Sequence, residues 1–205
     1  MKKIQSISID ICVLLKNIRK IGWKYVKRQS IHRMLYLCSV LFTFKYENEK
    51  NPFDDYEFLI NLNGPSCINI DKSLLFLETN EIVKDINDSF LLIEENIPDI
   101  SIAPRYELKC EWIKIITYIL GVYGENKIYD FIFEDPEYQY KLLSNTNSLN
   151  IDKNNETTRN LQYFKKAFEE SLSKDIDLST IDNQKYLTLY FDYVFSKIIK
   201  GEDIK

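Results

Sequence analysis

The stretch Ser30-Ile31-His32-Arg33-Met34-Leu35-Tyr36-Leu37-Cys38-Ser39-Val40-Leu41-Phe42 decides how this chain folds. Its apolar residues cover almost the whole circumference of a helix, which places that helix at the centre of a core rather than on one side of it. Ser30 is a plausible N-cap, because its hydroxyl can accept from a free N–H of the first turn. A polar loop with Pro52 follows over Glu47–Asp55. Tyr56–Leu62 is a short apolar run without a decisive period, readable as helix or strand. Asn63-Gly64-Pro65 is a strong break. Asp71 can cap a short helix that runs through Leu77, and Asn80 is its stop. Glu81–Ile86 and Ser89–Glu94, separated by Asn87-Asp88, then read as the two strands of a hairpin.

A long helix, a break, a short helix and a hairpin, in that order, resemble a winged helix-turn-helix module over residues 30–97. Upstream, residues 1–29 read as an N-terminal helix and a basic connector. Ile4, Ile7, Ile11, Leu14, Ile18 and Ile21 keep a 3-4 spacing, a heptad-like stripe that either packs on its own domain or pairs with a partner's helix. Gly22 ends that helix. Downstream, residues 98–205 read as helical. Pro104 starts a helix, and Trp112, Ile115, Ile116, Ile119 and Tyr123 keep helical spacing, with Gly121 and Gly124 closing it. Ile128–Phe133 supplies one or two further turns. Ser144–Asn155, rich in Asn, Ser and Thr, is the best linker or disordered loop. Leu161, Phe164, Phe168 and Leu172 line a penultimate helix, and Leu187, Tyr190, Phe191, Val194, Phe195 and Ile198 a last one. The fold class is therefore mainly α: a small winged-helix-like module of helices plus a β-hairpin, packed with additional C-terminal helices.

With 205 residues, 45% hydrophobic, the chain can bury one core or two small ones packed together. The four cysteines, Cys12, Cys38, Cys67 and Cys110, lie far apart with no C-x-x-C pair, so no zinc knuckle or redox motif is implied. Cys12, Cys38 and Cys110 sit on apolar helical faces and look like reduced core residues, which fits a cytoplasmic protein. Trp112–Tyr123, the most apolar stretch, is too short to span a bilayer. Asp10 interrupts Ile4–Leu15 and no small-residue cleavage site follows, which argues against a signal peptide. The net charge of −4 conceals an asymmetry: residues 1–46 hold ten Lys/Arg against one acid, Asp10, and the remainder hold 17 against 30. A basic front on an acidic body marks a surface for nucleic acid or for an acidic protein. Arg19, Lys20, Trp23, Lys24, Lys27, Arg28 and Arg33 are the candidates for contact with DNA or a partner.

Chemistry is sparse. His32 is the only histidine, so a metal site built from several His is not available, and no nucleophile elbow or glycine-rich phosphate loop occurs. Pro98-Asp99 followed by Glu107-Leu108-Lys109 mimics the PD…E-x-K pattern of nucleases. That geometry needs the acids on adjacent strands, whereas Glu107 and Lys109 fall in the first turns of a predicted helix. No catalytic, cofactor or metal residue is assigned, and no cofactor, small-molecule substrate or membrane contact is expected. The predicted second helix of the module offers Lys72 and then Leu74, Leu75, Phe76 and Leu77. The hairpin adds Glu81, Asp85, Asp88, Glu94 and Glu95, a face that phosphates would repel.

Ile31-His32-Arg33-Met34-Leu35-Tyr36-Leu37, then Asn63-Gly64-Pro65, then Asp71-Lys72-Ser73-Leu74-Leu75-Phe76-Leu77 with Glu81-Ile82-Val83, resembles the middle components of bacterial ABC-three-component systems. These include the small third subunit of Lamassu-type anti-phage systems. The resemblance covers residues 30–95, about a third of the chain. It implies a non-enzymatic accessory subunit that bridges an SMC-like ATPase and an effector nuclease, with double-stranded DNA as a further partner within the complex. The same pieces also resemble the Panacea-type antitoxin domain, which implies the alternative of a winged-helix DNA-binding regulator or antitoxin module.

Overall fold

The computed structural model describes residues 2–93, 104–144, 146–172 and 181–200. Among these described residues, eight helices and five short strands follow one another as α1 (Lys2–Lys20), β1 (Val26–Lys27), α2 (Arg28–Lys45), β2 (Leu59–Asn61), β3 (Gly64–Ser66), α3 (Ile68–Thr79), β4 (Val83–Asp85), β5 (Ser89–Leu92), α4 (Pro104–Gly121), α5 (Gly124–Glu134), α6 (Pro136–Leu143), α7 (Glu156–Ser171) and α8 (Asn183–Lys200). The chain is mainly α, as its sequence predicts. Among the described residues no helix is long and apolar enough to cross a membrane.

The predicted hairpin is β4–β5. Asn87 and Asp88 both have positive φ, 55° and 61°, the geometry of a two-residue type I′ turn. Ile86 and Ser89 exchange backbone hydrogen bonds across it. β1 completes a three-stranded antiparallel sheet of order β1-β5-β4, in the register Val26↔Phe90 and Val83↔Leu92. With α1, α2 and α3 on its inner side this is a winged-helix-like arrangement, and α1 and β1 are integral to it. α1 ends in a Schellman motif: Gly22, at φ 98°, donates to the Arg19 carbonyl, and Trp23 donates to that of Ile18.

Two caps differ from expectation. α2 begins at Arg28, not after Ser30, because the Arg28 N–H is taken by the Asp88 carbonyl of the wing turn. A strand-to-turn contact replaces the side-chain cap, and the Ser30 hydroxyl is left buried without a hydrogen-bond partner. α3 begins at Ile68, so Asp71 lies in its first turn instead of preceding it. The ambiguous run at Tyr56–Leu62 is partly strand: β2 pairs with β3 around Asn63-Gly64. Ile128–Phe133 lies within α5, which is longer than one or two turns, and Gly124 opens that helix rather than closing α4.

α2 is buried along nearly its whole length and touches α4, α5, α7, α8 and β3. Trp112 of α4 donates its indole N–H to the Cys38 carbonyl at 2.7 Å. Phe131, Phe191 and Phe195 pack together between α5 and α8. The four cysteines are free thiols, three of them buried, and burial pushes the Cys12 thiol up to about 12.

The described part of Ser144–Asn155 is not a slack linker. Its polarity serves hydrogen bonding inward: Leu149 donates to the Phe58 carbonyl, Ile60 to that of Asn147, and the fully buried Asn155 caps α7 by accepting from Thr157 and Thr158. The buried Glu137 carboxylate accepts the N–H groups of Asn150 and Glu156 at 3.0 and 2.9 Å. Loop composition reports how many polar groups need partners; it does not say whether those partners are water.

A candidate interaction face on the winged module

The strings Ile31–Leu37, Asn63-Gly64-Pro65 and Asp71–Leu77 hold one another. Arg33, 5% exposed, extends from α2 to the β2–β3 turn. There its Nε and Nη2 donate to the Asn63 carbonyl at 3.2 and 2.6 Å, and its guanidinium stacks over Tyr129 at 4.6 Å. Burial lowers its pKa from the usual arginine value. Gly64 follows at φ 108°, where a Cβ would stand 3.0 Å from Ile132 Cγ2 and 3.4 Å from Arg33 Nε. Gly64→Ala therefore meets both a disfavoured backbone and a crowded site. We expect it to cost about 1–2 kcal/mol of stability by urea unfolding; an unchanged midpoint would show that the turn relaxes freely.

His32 does the equivalent for α3. The Cys67 N–H donates to His32 Nδ1 at 3.1 Å, which places the ring proton on Nε2, 3.2 Å from Asp71 Oδ1. The ring thus ties both the residue before α3 and its first turn to α2. Arg28 extends this link to the wing, donating to Asp88 at 2.5 Å and approaching Asp85 and Asp71 at 3.5 and 3.4 Å, over the ring of Phe90. Burial would raise the Asp71 carboxyl, but the hydrogen bonds from His32 and Arg28 outweigh it and hold it below the usual range.

These contacts re-sort the seven basic-region candidates. Arg28 and Arg33 are committed to the fold. Trp23 is half-buried and donates to the Gly121 carbonyl at 3.2 Å. Arg19, Lys20, Lys24 and Lys27 remain exposed at the end of α1 and along the connector. The stripe Ile4, Ile7, Ile11, Leu14, Ile18 and Ile21 does not offer itself to a partner helix. Ile7, Ile11, Leu14 and Ile18 are fully buried, Ile4 and Ile21 half-buried, in the contact of α1 with α3 and α4. The narrowness of the stripe reflects two neighbouring helices in the same chain. Of the nuclease-like string, Asp99 lies outside the described residues, Glu107 is exposed, and Lys109 is buried in an ion pair with Asp10 at 2.5 Å. Among the described residues no group of three or more His, Cys, Asp and Glu is placed to hold a metal ion.

What the module does present is the outer face of α3. Ile70, Ser73, Leu74 and Leu77 point inward and are buried. The opposite stripe, Ile68, Lys72, Leu75, Phe76 and Thr79, follows helical spacing and is exposed: Ile68 by 60%, Leu75 by 64% and Phe76 by 41%. In a winged helix this is the element that enters the major groove with polar and basic side chains. Here it carries one lysine and three large apolar side chains. Such a surface gains by excluding water against another apolar surface and has little to offer phosphate. The sequence shows the composition of α3 but cannot divide its apolar residues between inside and outside, because the run Leu74–Leu77 is apolar in every direction.

Comparison of the chain with protein-family models, with curated proteins and with solved structures returns no match.

Proposed function

We propose that this protein is a non-enzymatic accessory subunit of a multi-protein defence complex, cytoplasmic, that joins an SMC-like ATPase to an effector nuclease through protein contacts made by the outer face of α3. One observation carries the contact itself: a well-formed helix, fixed at its start by His32 and Arg28, exposes Ile68, Leu75 and Phe76 on the side where a DNA-reading helix would carry polar groups. The wider role rests on the likeness of residues 30–95 to the middle components of ABC-three-component systems. The commitment of Arg33 and Lys109 to buried structural contacts supports an assembling rather than a catalytic part.

The experiment is co-purification of the tagged chain expressed with its genomic neighbours. The expected eluate contains a large ATPase and an effector in fixed ratio. Leu75→Ser with Phe76→Ser should remove at least one of them while leaving the thermal midpoint nearly unchanged, since both side chains are exposed. Elution of the chain alone, or an intact complex in the double variant, would overturn the reading.

A further inference from the structure

The apolar stripe of α3 is bordered by charge on one side only. Leu75 stands one turn after Asp71 and one turn before Glu78, so the leucine and the two carboxylates form a single row along the helix. Ile68, one turn before Asp71, opens the same row. Asp71 is half-buried and Glu78 exposed. Lys72, the only cation of this helix, lies about 100° further round than Asp71, on the side of Phe76.

The acidic row faces the wing. Arg28 approaches Asp71 at 3.4 Å and the hairpin residues Asp85 and Asp88 at 3.5 and 2.5 Å, and α3 packs on β4. These contacts join the three aspartates to the edge of the α3 stripe as one surface. Three carboxylates share one guanidinium, which leaves two negative charges uncompensated, and Glu78 adds to them. Arg28 does not seal the group off, since the Asp88 side chain is 62% exposed. Nor does Lys84 offset it. Asp85 lies opposite Phe90, whose ring underlies Arg28, whereas Lys84 alternates to the other side of the sheet.

Given the reading of α3 as a protein-contact face, on which this rests, we propose that α3 docks an amphipathic helix of the partner protein that carries Lys or Arg along the edge lying against the wing. Ile68, Leu75 and Phe76 supply the apolar contact, and the one-sided carboxylates fix the direction of the docked helix. A helix turned end for end would lay its basic edge beside Lys72 and away from the acids. A partner with an acidic edge, or a phosphate backbone, meets like charge.

The test uses two labelled peptides of about 18 residues, long enough to hold a helix. Both carry the same leucine face; one is flanked along one edge by lysine and the other by glutamate. Each is titrated with the purified full chain and followed by fluorescence anisotropy. At about 50 mM salt the lysine peptide should bind about tenfold more tightly than the glutamate peptide, and at about 0.5 M the gap should close as the charges are screened. Glu78→Gln with Asp88→Asn should reduce that advantage to about threefold or less. Glu49→Gln with Glu134→Gln, the same charge change at exposed positions elsewhere, should leave it intact. Leu75→Ser with Phe76→Ser should abolish binding of both peptides. Equal binding of the two peptides, or a lysine preference that survives either the Glu78/Asp88 or the Leu75/Phe76 variant, would overturn the proposal. Co-purification separates it from the accessory-subunit reading. Neighbours retained by the Glu78→Gln, Asp88→Asn variant as firmly as by wild type at both salt concentrations would overturn the basic partner and leave the subunit reading standing. A chain that elutes alone yet keeps the peptide preference would overturn the subunit reading and uphold the basic-edged ligand.

Discussion

Lys109→Met is expected to cost about 3–5 kcal/mol of folding stability, the loss typical of a buried ion pair deprived of one partner. In a chain of this length that is roughly a 6–20 °C fall in thermal midpoint. Asp10 of α1 is fully buried and Lys109 of α4 is 3% exposed, with 2.5 Å between Asp10 Oδ2 and the ammonium. Tyr56 donates to the same oxygen at 2.7 Å, and the ammonium sits over the rings of Phe53 and Tyr56. Burial pushes the Asp10 carboxyl up even though Lys109 and Tyr56 pull it down, and its Oδ1 has no hydrogen-bond partner. Methionine fills the lysine's volume but leaves that carboxylate uncompensated. The double variant Asp10→Asn, Lys109→Met should recover most of the loss, because a neutral pair removes the desolvation cost from both sides. Chemical unfolding of the three proteins measures this; a single-variant loss below about 1 kcal/mol would mean that water reaches the pair.

The second large effect is a pH dependence of unusual sign. Asp135 is fully buried at the start of α6, where it accepts from the Tyr138 N–H and from the hydroxyls of Thr157 and Tyr36. Burial raises its carboxyl from 3.8 to about 6, against the lowering effect of those hydrogen bonds, and the nearby Glu137 adds to the rise. A carboxyl raised in the folded state holds its proton more tightly there than in the unfolded chain. Its contribution therefore favours folding increasingly as pH falls through about 6, levels off below the unfolded value near 3.8, and is an unfavourable charge burial above pH 6. A shift of about two units corresponds to about 3 kcal/mol. Asp71, held low by His32 and Arg28, works in the opposite sense, so the quantity to follow is the stability difference between wild type and Asp135→Asn. That difference should change by up to about 3 kcal/mol in favour of wild type as pH goes from 7 to 4. A difference independent of pH would show that Asp135 ionises freely.

The sequence made several of these elements legible and hid others for identifiable reasons. The core helix, the Asn87-Asp88 turn and the Asn80 stop follow from local rules, namely circumference, positive-φ residues and a helix-breaking end. The starts of α2 and α3 do not, because both are fixed by groups distant in sequence: the Asp88 carbonyl and the His32 ring. The same holds for Ser144–Asn155, whose partners are Phe58, Ile60 and Glu137. Charge was legible as an asymmetry along the chain. Which cations remain unpaired was not, since Arg28, Arg33 and Lys45 find their partners 30 or more residues away.

α2 has consequences for how such a chain can change over evolutionary time. It is enclosed by the winged module on one side and by α4, α5, α7 and α8 on the other, with no face of its own left to water. An element that belongs equally to both halves denies recombination a seam. Either half, moved alone into another protein, would carry away a bare greasy rod or leave one behind. New contacts are then more readily acquired by altering side chains on α3 and the outer sheet than by exchanging modules, so divergence among proteins of this architecture should concentrate on those surfaces while the axle between them stays put.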